Sequence, residues 1–262
     1  MSLAINYEQL KRDIGRYLGY DREPGNWTED EDEDVEQVIA QGLRQFYRPP
    51  RIPGDKYSHQ WSFLRPIGSL AITSGTADYD LPTDFADLDG DLYFVTGDNC
   101  PTRIRQVNEG RILDLRSRET SVDTTASPSE CAVVAKKSDG TAEQVYTLML
   151  WPTPDADYTV KFRYYSRQQM LTADADVPLG GTEHAETIRA SCLAAAESFL
   201  DDERGAKWAE FLDQLQASVD FDRKANSPST LGYNGDRSDK RSMSDDVFHI
   251  APNITVYEKY PL

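Results

Sequence analysis

Hydrophobic residues near the start of the chain recur with the period of a helix. Tyr7, Leu10, Ile14 and Leu18 share one face, with Asn6 placed to cap the helix and Gly19 to end it. A second stripe stops before Pro49-Pro50 and consists of Val35, Val38, Ile39, Leu43, Phe46 and Tyr47. The pattern predicts helices over residues 6–18 and 29–47.

Six consecutive acids, Glu29 to Asp34, begin the second predicted helix. Thr28 can cap this helix, Glu31 stands at the capping-box position, and the helix dipole favours negative charge in the first turn. A calcium site is the alternative, but acids at successive helical positions point in different directions. We therefore interpret the acidic run as a helix start.

From residue 57 to 167 the hydrophobic pattern has the period of a strand. The strand candidates are Ser62–Leu64, Leu70–Ile72, Asp78–Leu81, Leu92–Val95, Cys131–Val134, Tyr146–Leu150 and Tyr158–Tyr165. The interruption EGRILDLRSRE, residues 109–119, indicates a helical turn packed on one edge. Short strands of this kind predict a small sandwich or barrel inserted between helices.

The segment LMLWPTPDADYTVKFRYYSR, residues 148–167, contains two of these strands. In the second strand, every other residue from Tyr158 to Tyr164 is apolar or aromatic, and we expect this face to be buried. Pro152 and Pro154 cannot donate to a strand ladder. The stretch WPTPDAD is therefore predicted to be the loop of a hairpin.

Residues 183–224 return to a helical period as two helices joined at DDERG. Their apolar stripes are Ile188, Cys192, Ala195, Ala196 and Phe199, followed by Trp208, Phe211, Leu212, Leu215, Val219 and Phe221. From Ala225 onward the apolar residues are too few and too scattered for a core of their own.

The pattern as a whole predicts an α+β fold. Two N-terminal helices and a C-terminal helical pair form a helical bundle, with an antiparallel β sandwich or barrel-like domain inserted between them. The expected division is 1–50 for the N-terminal helices, 51–170 for the β-rich domain, 171–224 for the helical pair and 225–262 for an extended C-terminal arm.

Charge narrows the set of partners. Lys and Arg number 28 against 45 Asp and Glu, which gives a formal net charge of -17. A chain this acidic repels polyanions, which argues against a general nucleic-acid binder and against anionic membranes. The sequence contains neither a membrane-spanning apolar run nor the apolar region of a signal peptide. Cys100, Cys131 and Cys192 fit neither a disulfide framework nor a metal cluster, so we expect reduced intracellular thiols.

No catalytic constellation emerges from the sequence. His59, His184 and His249 lie in three separate segments without the spacing of metal ligands. Nucleophile-elbow, phosphate-loop and dinucleotide-binding motifs are absent. We therefore expect no enzyme activity, no cofactor and no metal.

Two local features suggest binding sites but favour structural roles. DLDGD, residues 87–91, alternates acids as calcium loops do, yet its glycine is at the fourth position instead of the sixth. We interpret it as a turn between two strands. Trp61, Trp151 and Trp208 lie in apolar patterns, which favours a place in the core or at an interface over a sugar site.

Two segments, taken in order, resemble a known family. DYDLPTDFADLDGDLYF, residues 78–94, resembles the Tyr-x-Leu-Pro-x-Asp-Phe element of tailed-phage head-to-tail adaptor proteins. The 148–167 segment and the helical pair after it are similar to the continuation of that element. In these proteins a proline-rich turn and a tyrosine-bearing strand precede a helix with small residues and a helix with a tryptophan. The resemblance covers residues 5–48 and 76–224 and points to the tail tubular A proteins of T7-like phages.

The resemblance implies a structural virion protein at the head–tail junction. Such proteins form a ring, usually of twelve subunits, that docks beneath the portal and contacts tail or nozzle proteins. Double-stranded DNA passes through the lumen without specific binding. A terminal arm often enters the portal, so the candidate portal contacts are Phe248, Ile254, Val256, Tyr257 and Tyr260. Acidic helices facing the lumen would repel DNA phosphates, and the candidate acids are Glu197, Asp201, Asp202 and Glu210.

Two alternatives remain open. The same motifs fit a neck or tail-tube component further down the tail. The acidic, tyrosine-rich β segment also fits a carbohydrate-binding or carbohydrate-cleaving virion protein.

Overall fold

A computed structural model describes residues 3–95, 103–118, 125–136, 144–168 and 170–226, and the structural statements that follow concern these residues. Residues 1–223 form one compact unit. A second unit begins at Lys224, and only its first residues, the end of the last helix, are described. Most of the predicted C-terminal arm therefore lies outside the described residues.

The N-terminal helices begin and end where the sequence predicts. Helix α1 spans Tyr7–Leu18 and helix α2 spans Glu29–Tyr47. The side chains of Asn6 and Thr28 accept a hydrogen bond from the third residue of their helices, and that residue's side chain bonds back to the cap backbone. Gly19 ends α1 in the left-handed conformation, with φ of 86°. The interpretation of the acidic run as a helix start is confirmed.

Helices α4 (Ala185–Asp201) and α5 (Ala206–Asn226) complete the helical bundle and share one hydrophobic core with α1 and α2. Helices α2 and α4 approach each other closely at Gly42, where an added Cβ would lie 2.5 Å from the Cα of Cys192. Ser191 Oγ, on α4, donates to the Gly42 carbonyl at 2.8 Å. Small residues therefore set the distance between these two helices.

The β region forms an eight-stranded, barrel-like sheet with a separate hydrophobic core. Its strands are β1 (Ile67–Ile72), β2 (Asp78–Asp80), β3 (Phe85–Leu88), β4 (Leu92–Phe94), β5 (Arg103–Gln106), β6 (Glu130–Ala135), β7 (Tyr146–Trp151) and β8 (Tyr158–Ser166). The order is β1-β8-β4-β5-β6-β7-β2, with β3 also paired to β8. Only β5 and β6 pair in parallel among these strands. The predicted α+β fold is confirmed.

Two smaller predictions within the β region are a helical interruption and a turn, and both are confirmed, although the helix does not pack on an edge strand. The interruption after β5 is helix α3, Glu109–Arg118, which packs on β6 and β7 through the buried Ile112. Residues 89–91 connect β3 to β4, with Gly90 at a φ of 94°. The DLDGD segment is thus a turn between two strands.

Strand β8 is central to the sheet core. It pairs with β1 over six residues, from Ile67 opposite Arg163 to Ile72 opposite Tyr158. Alternate residues Val160, Phe162 and Tyr164 are buried, and the residues between them face outward, as predicted. The residues that alternate with this buried set, Thr159, Lys161 and Arg163, are therefore on the outward face of the sheet.

The predicted hairpin is wrong. Strands β7 and β8 do not pair with each other; β4, β5 and β6 lie between them in the sheet. Strand β7 pairs with β6 and β2, whereas β8 pairs with β1, β3 and β4. Gly75 N–H donates to the Pro154 carbonyl, and Thr153 bridges to Thr125. The proline-rich stretch is therefore a crossover that contacts distant loops. Strands β7 and β8 follow each other in the sequence but are not neighbours in the sheet.

The apolar stripes of the helical pair are correct except at their ends. Phe199 and Phe221 are 39% and 50% exposed. Ser218 and Asp222 are buried instead, at 5% exposure each. The inward face of α5 therefore ends in polar residues, and these require partners inside the protein.

Candidate functional site

The β region is connected to the helical bundle by residues 48–66 and 167–184, and the two connections meet at one place. The ring of His184, from the second connection, lies 5.0 Å from Trp61 and 5.2 Å from Phe63, both from the first. Phe46 of α2 stacks on Trp61 at 4.8 Å. We name Phe46, Trp61, Phe63 and His184 the aromatic joint.

Trp61 fixes the first connection to the bundle. Its side chain is buried, and its indole N–H donates to the carbonyl of Phe46 at 2.8 Å. A buried tryptophan with a satisfied N–H combines apolar area with a directional bond. The prediction of a core role for Trp61 is confirmed.

The end of α5 is held to the same connection by a buried carboxylate. Asp222 Oδ2 lies 2.7 Å from His59 Nε2, and Ser62 Oγ donates to Asp222 Oδ1 at 2.5 Å. Burial alone would raise the pKa of Asp222, but the hydrogen bonds from Ser62 and His59 outweigh it and lower that pKa. We name His59, Ser62 and Asp222 the polar latch.

The polar latch contains the residue types of a hydrolase triad in a different order. In a triad, histidine lies between serine and the acid and accepts the serine proton. Here the acid lies between, because both Ser62 and His59 contact Asp222. The serine hydroxyl donates to a carboxylate and is not paired with a histidine base. The geometry is that of a structural clamp.

His184 is the unsatisfied member of the aromatic joint. It is 4% exposed, and its Nδ1 has no hydrogen-bond partner among the described residues. Burial lowers the pKa of His184, which favours the neutral ring. Protonation would place a charge among aromatic rings.

Sequence reasoning missed the polar latch, although α5 contains a signal for it. Phe211, Leu215 and Val219 recur at helical spacing, and the next position of that series is Asp222. An acid at the end of a buried stripe predicts a buried partner. The partner lies about 160 positions earlier in the chain, and helical spacing gives no information on it.

Another buried acid connects α4 to α5. Glu197 is 7% exposed, and its carboxylate accepts backbone N–H bonds from Gly205, Lys207 and Trp208 at 3.0, 3.1 and 3.0 Å. Burial alone would raise the pKa of Glu197, but these bonds outweigh it and lower the pKa. A side chain of α4 thus satisfies the free N–H groups at the start of α5.

The comparison with known families identifies the family of the chain. The sequence matches the SU10 adaptor protein family over residues 5–232. The chain belongs to the SU10 adaptor protein family. The resemblance to phage head-to-tail adaptors is confirmed, and the coarse function follows: a phage adaptor, and so a structural component of the virion. No curated protein matches the chain.

The four acids of this adaptor that were predicted to face the lumen differ in their exposure to solvent. Asp201, Asp202 and Glu210 are exposed near the α4–α5 turn, and Lys207 pairs with Glu210 at 2.8 Å. Their place in a lumen stays a prediction. The prediction of a lumen-facing carboxylate is wrong for Glu197, because that carboxylate is buried and bonded to the start of α5.

The predicted portal contacts of the adaptor, Phe248, Ile254, Val256, Tyr257 and Tyr260, lie outside the described residues and stay predictions. Cys131 and Cys192 are buried, and burial raises the pKa of each thiol to about 12; Cys100 also lies outside the described residues. Within the described part of the chain, no cluster of three or more His, Cys, Asp or Glu could hold a metal ion. None of the described helices has both the length and the apolar character of a membrane span.

Proposed function

We propose that this adaptor forms a ring beneath the portal that extends the DNA channel and joins the phage head to its tail. The observation that supports this most directly is the family match over residues 5–232, which includes every described helix and strand. Its partners are the portal protein on one side and tail or nozzle proteins on the other. It works by shape and charge, without catalysis.

The physical properties of the chain support a ring around DNA. A formal charge of -17 repels phosphates, so a passing genome is not retained. Asp201, Asp202 and Glu210, exposed near the α4–α5 turn, are proposed to face the lumen. A ring of identical subunits uses a heterologous interface, in which one surface of a subunit meets a different surface of the next.

The C-terminal arm is proposed to dock on the portal through its late aromatic residues, Phe248, Tyr257 and Tyr260. Segments that order on binding can bury on the order of 1,000–3,000 Å², which suits a joint that forms once and persists.

The proposal is tested by mixing purified adaptor with purified portal and examining the mixture by sedimentation and negative-stain microscopy. We expect co-sedimentation and a ring on one face of the portal. Free adaptor that remains monomeric and never associates with portal would contradict the proposal. Removing residues 227–262 distinguishes an adaptor that docks on the portal from a component located further down the tail. We expect the truncated chain to lose portal binding while keeping its thermal unfolding transition.

A further inference from the structure

One face of the β region combines cations with exposed apolar side chains. The strand register places Ile67 opposite Arg163, and Tyr93 opposite both Lys161 and Arg103. All five residues are on the outward side of the sheet, since the residues that alternate with them fill the sheet core. We name Ile67, Tyr93, Arg103, Lys161 and Arg163 the basic sheet face.

The apolar members of this face are largely exposed to solvent. Ile67 is 66% exposed and Tyr93 is 53% exposed. Single exposed apolar residues are common on protein surfaces, but these two flank the same pair of cations on neighbouring strands. Protein interfaces are enriched in aromatic residues and arginine, and this face presents Tyr93 beside Arg103.

Two of the three cations of this face have no ion-pair partner among the described residues. Lys161 and Arg163 form no ion pair with any described residue, and Arg103 lies 3.6 Å from Asp91. Other arginines of the β region have closer carboxylates: Arg111 lies 2.6 Å from Glu130. Lys161 and Arg163 are two residues apart on one exposed strand face, and without an ion pair to a described residue they are available to an external acidic partner.

The helical bundle is the most acidic part of the same chain. Residues 1–50 and 171–223 contain 23 acids and ten bases. Two bundle surfaces facing each other would therefore repel. A bundle surface facing the basic sheet face of a neighbouring copy would attract, and the two surfaces are different. A contact between two different surfaces is heterologous, which is the type of contact that a ring of identical subunits requires.

We propose that the basic sheet face binds the acidic helical surface of a second copy of this chain and forms the contact between neighbouring ring subunits. This inference rests on the proposed function. Ile67 and Tyr93 form the apolar centre of the contact, and the three cations orient it. A protein surface is favoured over DNA because a phosphate backbone offers no apolar partner to the isoleucine.

Photocrosslinking in assembled particles tests the location of the contact. A photoreactive amino acid replaces Tyr93 in the full-length chain, and crosslinked peptides from purified virions are identified by mass spectrometry. We expect links to residues 1–50 or 171–223 of a second copy. Leu113 on α3 is 56% exposed and lies outside the basic sheet face, so the same replacement there is the control and should give no such link. Links from position 93 to DNA, portal or another tail protein, or no link, would overturn the proposal.

Charge reversal tests the physical basis of the contact. We expect Arg163→Glu to reduce incorporation into particles and to weaken self-association in concentrated solution by roughly tenfold, with less effect at high salt. Arg118→Glu makes the same charge change at a 74% exposed side chain on α3 and should leave both unchanged. Lys161→Glu provides a second variant, and circular dichroism verifies that each folds.

Two failures are distinguishable. If wild-type chain does not enter particles or bind portal, the proposed function is wrong. If wild type assembles and Arg163→Glu assembles equally well, the function stands and the basic sheet face is not the subunit contact.

Discussion

The imidazole of His59 lies 2.7 Å from the carboxylate of Asp222, although 163 positions separate the two residues. Arg223 pairs with Asp55 at 2.6 Å in the same region. The end of α5 is thereby fixed to the segment that leads from α2 to β1. Together with the aromatic joint, this polar latch holds the connections of the β region against the bundle.

Removing the latch carboxylate should destabilise the protein. Asp222→Ala leaves Ser62 and His59 without their partner in a buried site, and we expect a loss of about 2–4 kcal/mol in the free energy of unfolding. Urea denaturation monitored by tryptophan fluorescence measures it. Asp220→Ala, an exposed acid bonded to Gln216, is the control and should change the value by less than about 0.5 kcal/mol. Equal effects of the two substitutions would contradict a structural role for the latch.

Stability should fall on mild acidification because of His184. Its pKa is lower in the folded chain than the unfolded value of about 6.5, so the unfolded chain binds the proton more tightly. The contribution of neutral His184 to the free energy of unfolding is fully present above a pH of about 6.5, the unfolded pKa, and is lost as the pH falls below it. Burial and the nearby His59 lower the pKa of His184, whereas Asp222 and Glu183 act in the opposite direction. Asp222 also has a lowered pKa, but its contribution is lost only below about pH 4.

The phenylalanine variant isolates this effect. His184→Phe keeps an aromatic ring against Trp61 and Phe63 and removes the titrating group. We expect the wild-type melting temperature to drop between about pH 7 and pH 5, and the drop to be smaller in His184→Phe. Calorimetry of both chains across this range checks it. Identical pH profiles would show that His184 does not contribute.

Glu197 should matter for stability more than for surface charge. Glu197→Ala removes the acceptor for three N–H groups at the start of α5, and we expect a loss of about 1–3 kcal/mol. Glu197→Gln keeps one acceptor oxygen and should lie between Ala and wild type. Glu210→Ala removes an exposed acid of equal size and should have little effect. Chemical denaturation of the three variants gives the ranking.

The close approach of α2 and α4 should not tolerate a methyl group. Gly42→Ala would place a Cβ against the Cα of Cys192, which is backbone and cannot rotate away. We expect a loss of about 1–3 kcal/mol or more. Gly25→Ala has no atom within 4 Å of the new Cβ and is the matched control. Thermal unfolding that is unchanged in Gly42→Ala would mean that the two helices can separate at little cost.

The lumen assignment predicts a kinetic effect on DNA. Asp201→Lys, Asp202→Lys and Glu210→Lys together should slow genome ejection, because a cationic lumen attracts phosphates. Glu197 is left unchanged, since a lysine there would disrupt the start of α5. Fluorescence of a DNA dye during ejection from purified particles measures the rate. Ejection at the wild-type rate would rule out a lumen position for these residues.

Local signals in the sequence were sufficient for much of the fold. The bounds of α1 and α2 were predicted from the cap residues Asn6 and Thr28 and from the break at Pro49. Caps and breaks act within one turn of a helix, so a local pattern is enough to locate them. The alternation in β8 likewise predicted its buried face. The class of phage head-to-tail adaptors was predicted from the order of two motifs, whereas the SU10 adaptor family itself was not.

Long-range pairing was the part that local patterns could not give. Strands β7 and β8 are neighbours in sequence, yet each pairs with strands from other parts of the chain. Phe221 was placed in a buried stripe by its hydrophobicity, whereas the helical period places Asp222 inward. The energy of burying Asp222 depends on His59 and Ser62, which the sequence of α5 does not contain.

The two connections of the β region bring Phe63 and His184 within 5.2 Å of each other. A domain whose two ends lie side by side can be inserted into another domain without separating the elements on either side of the insertion. We therefore expect the helical bundle to accept a different inserted domain whose two ends also lie side by side, with the packing of α2 against α4 unchanged.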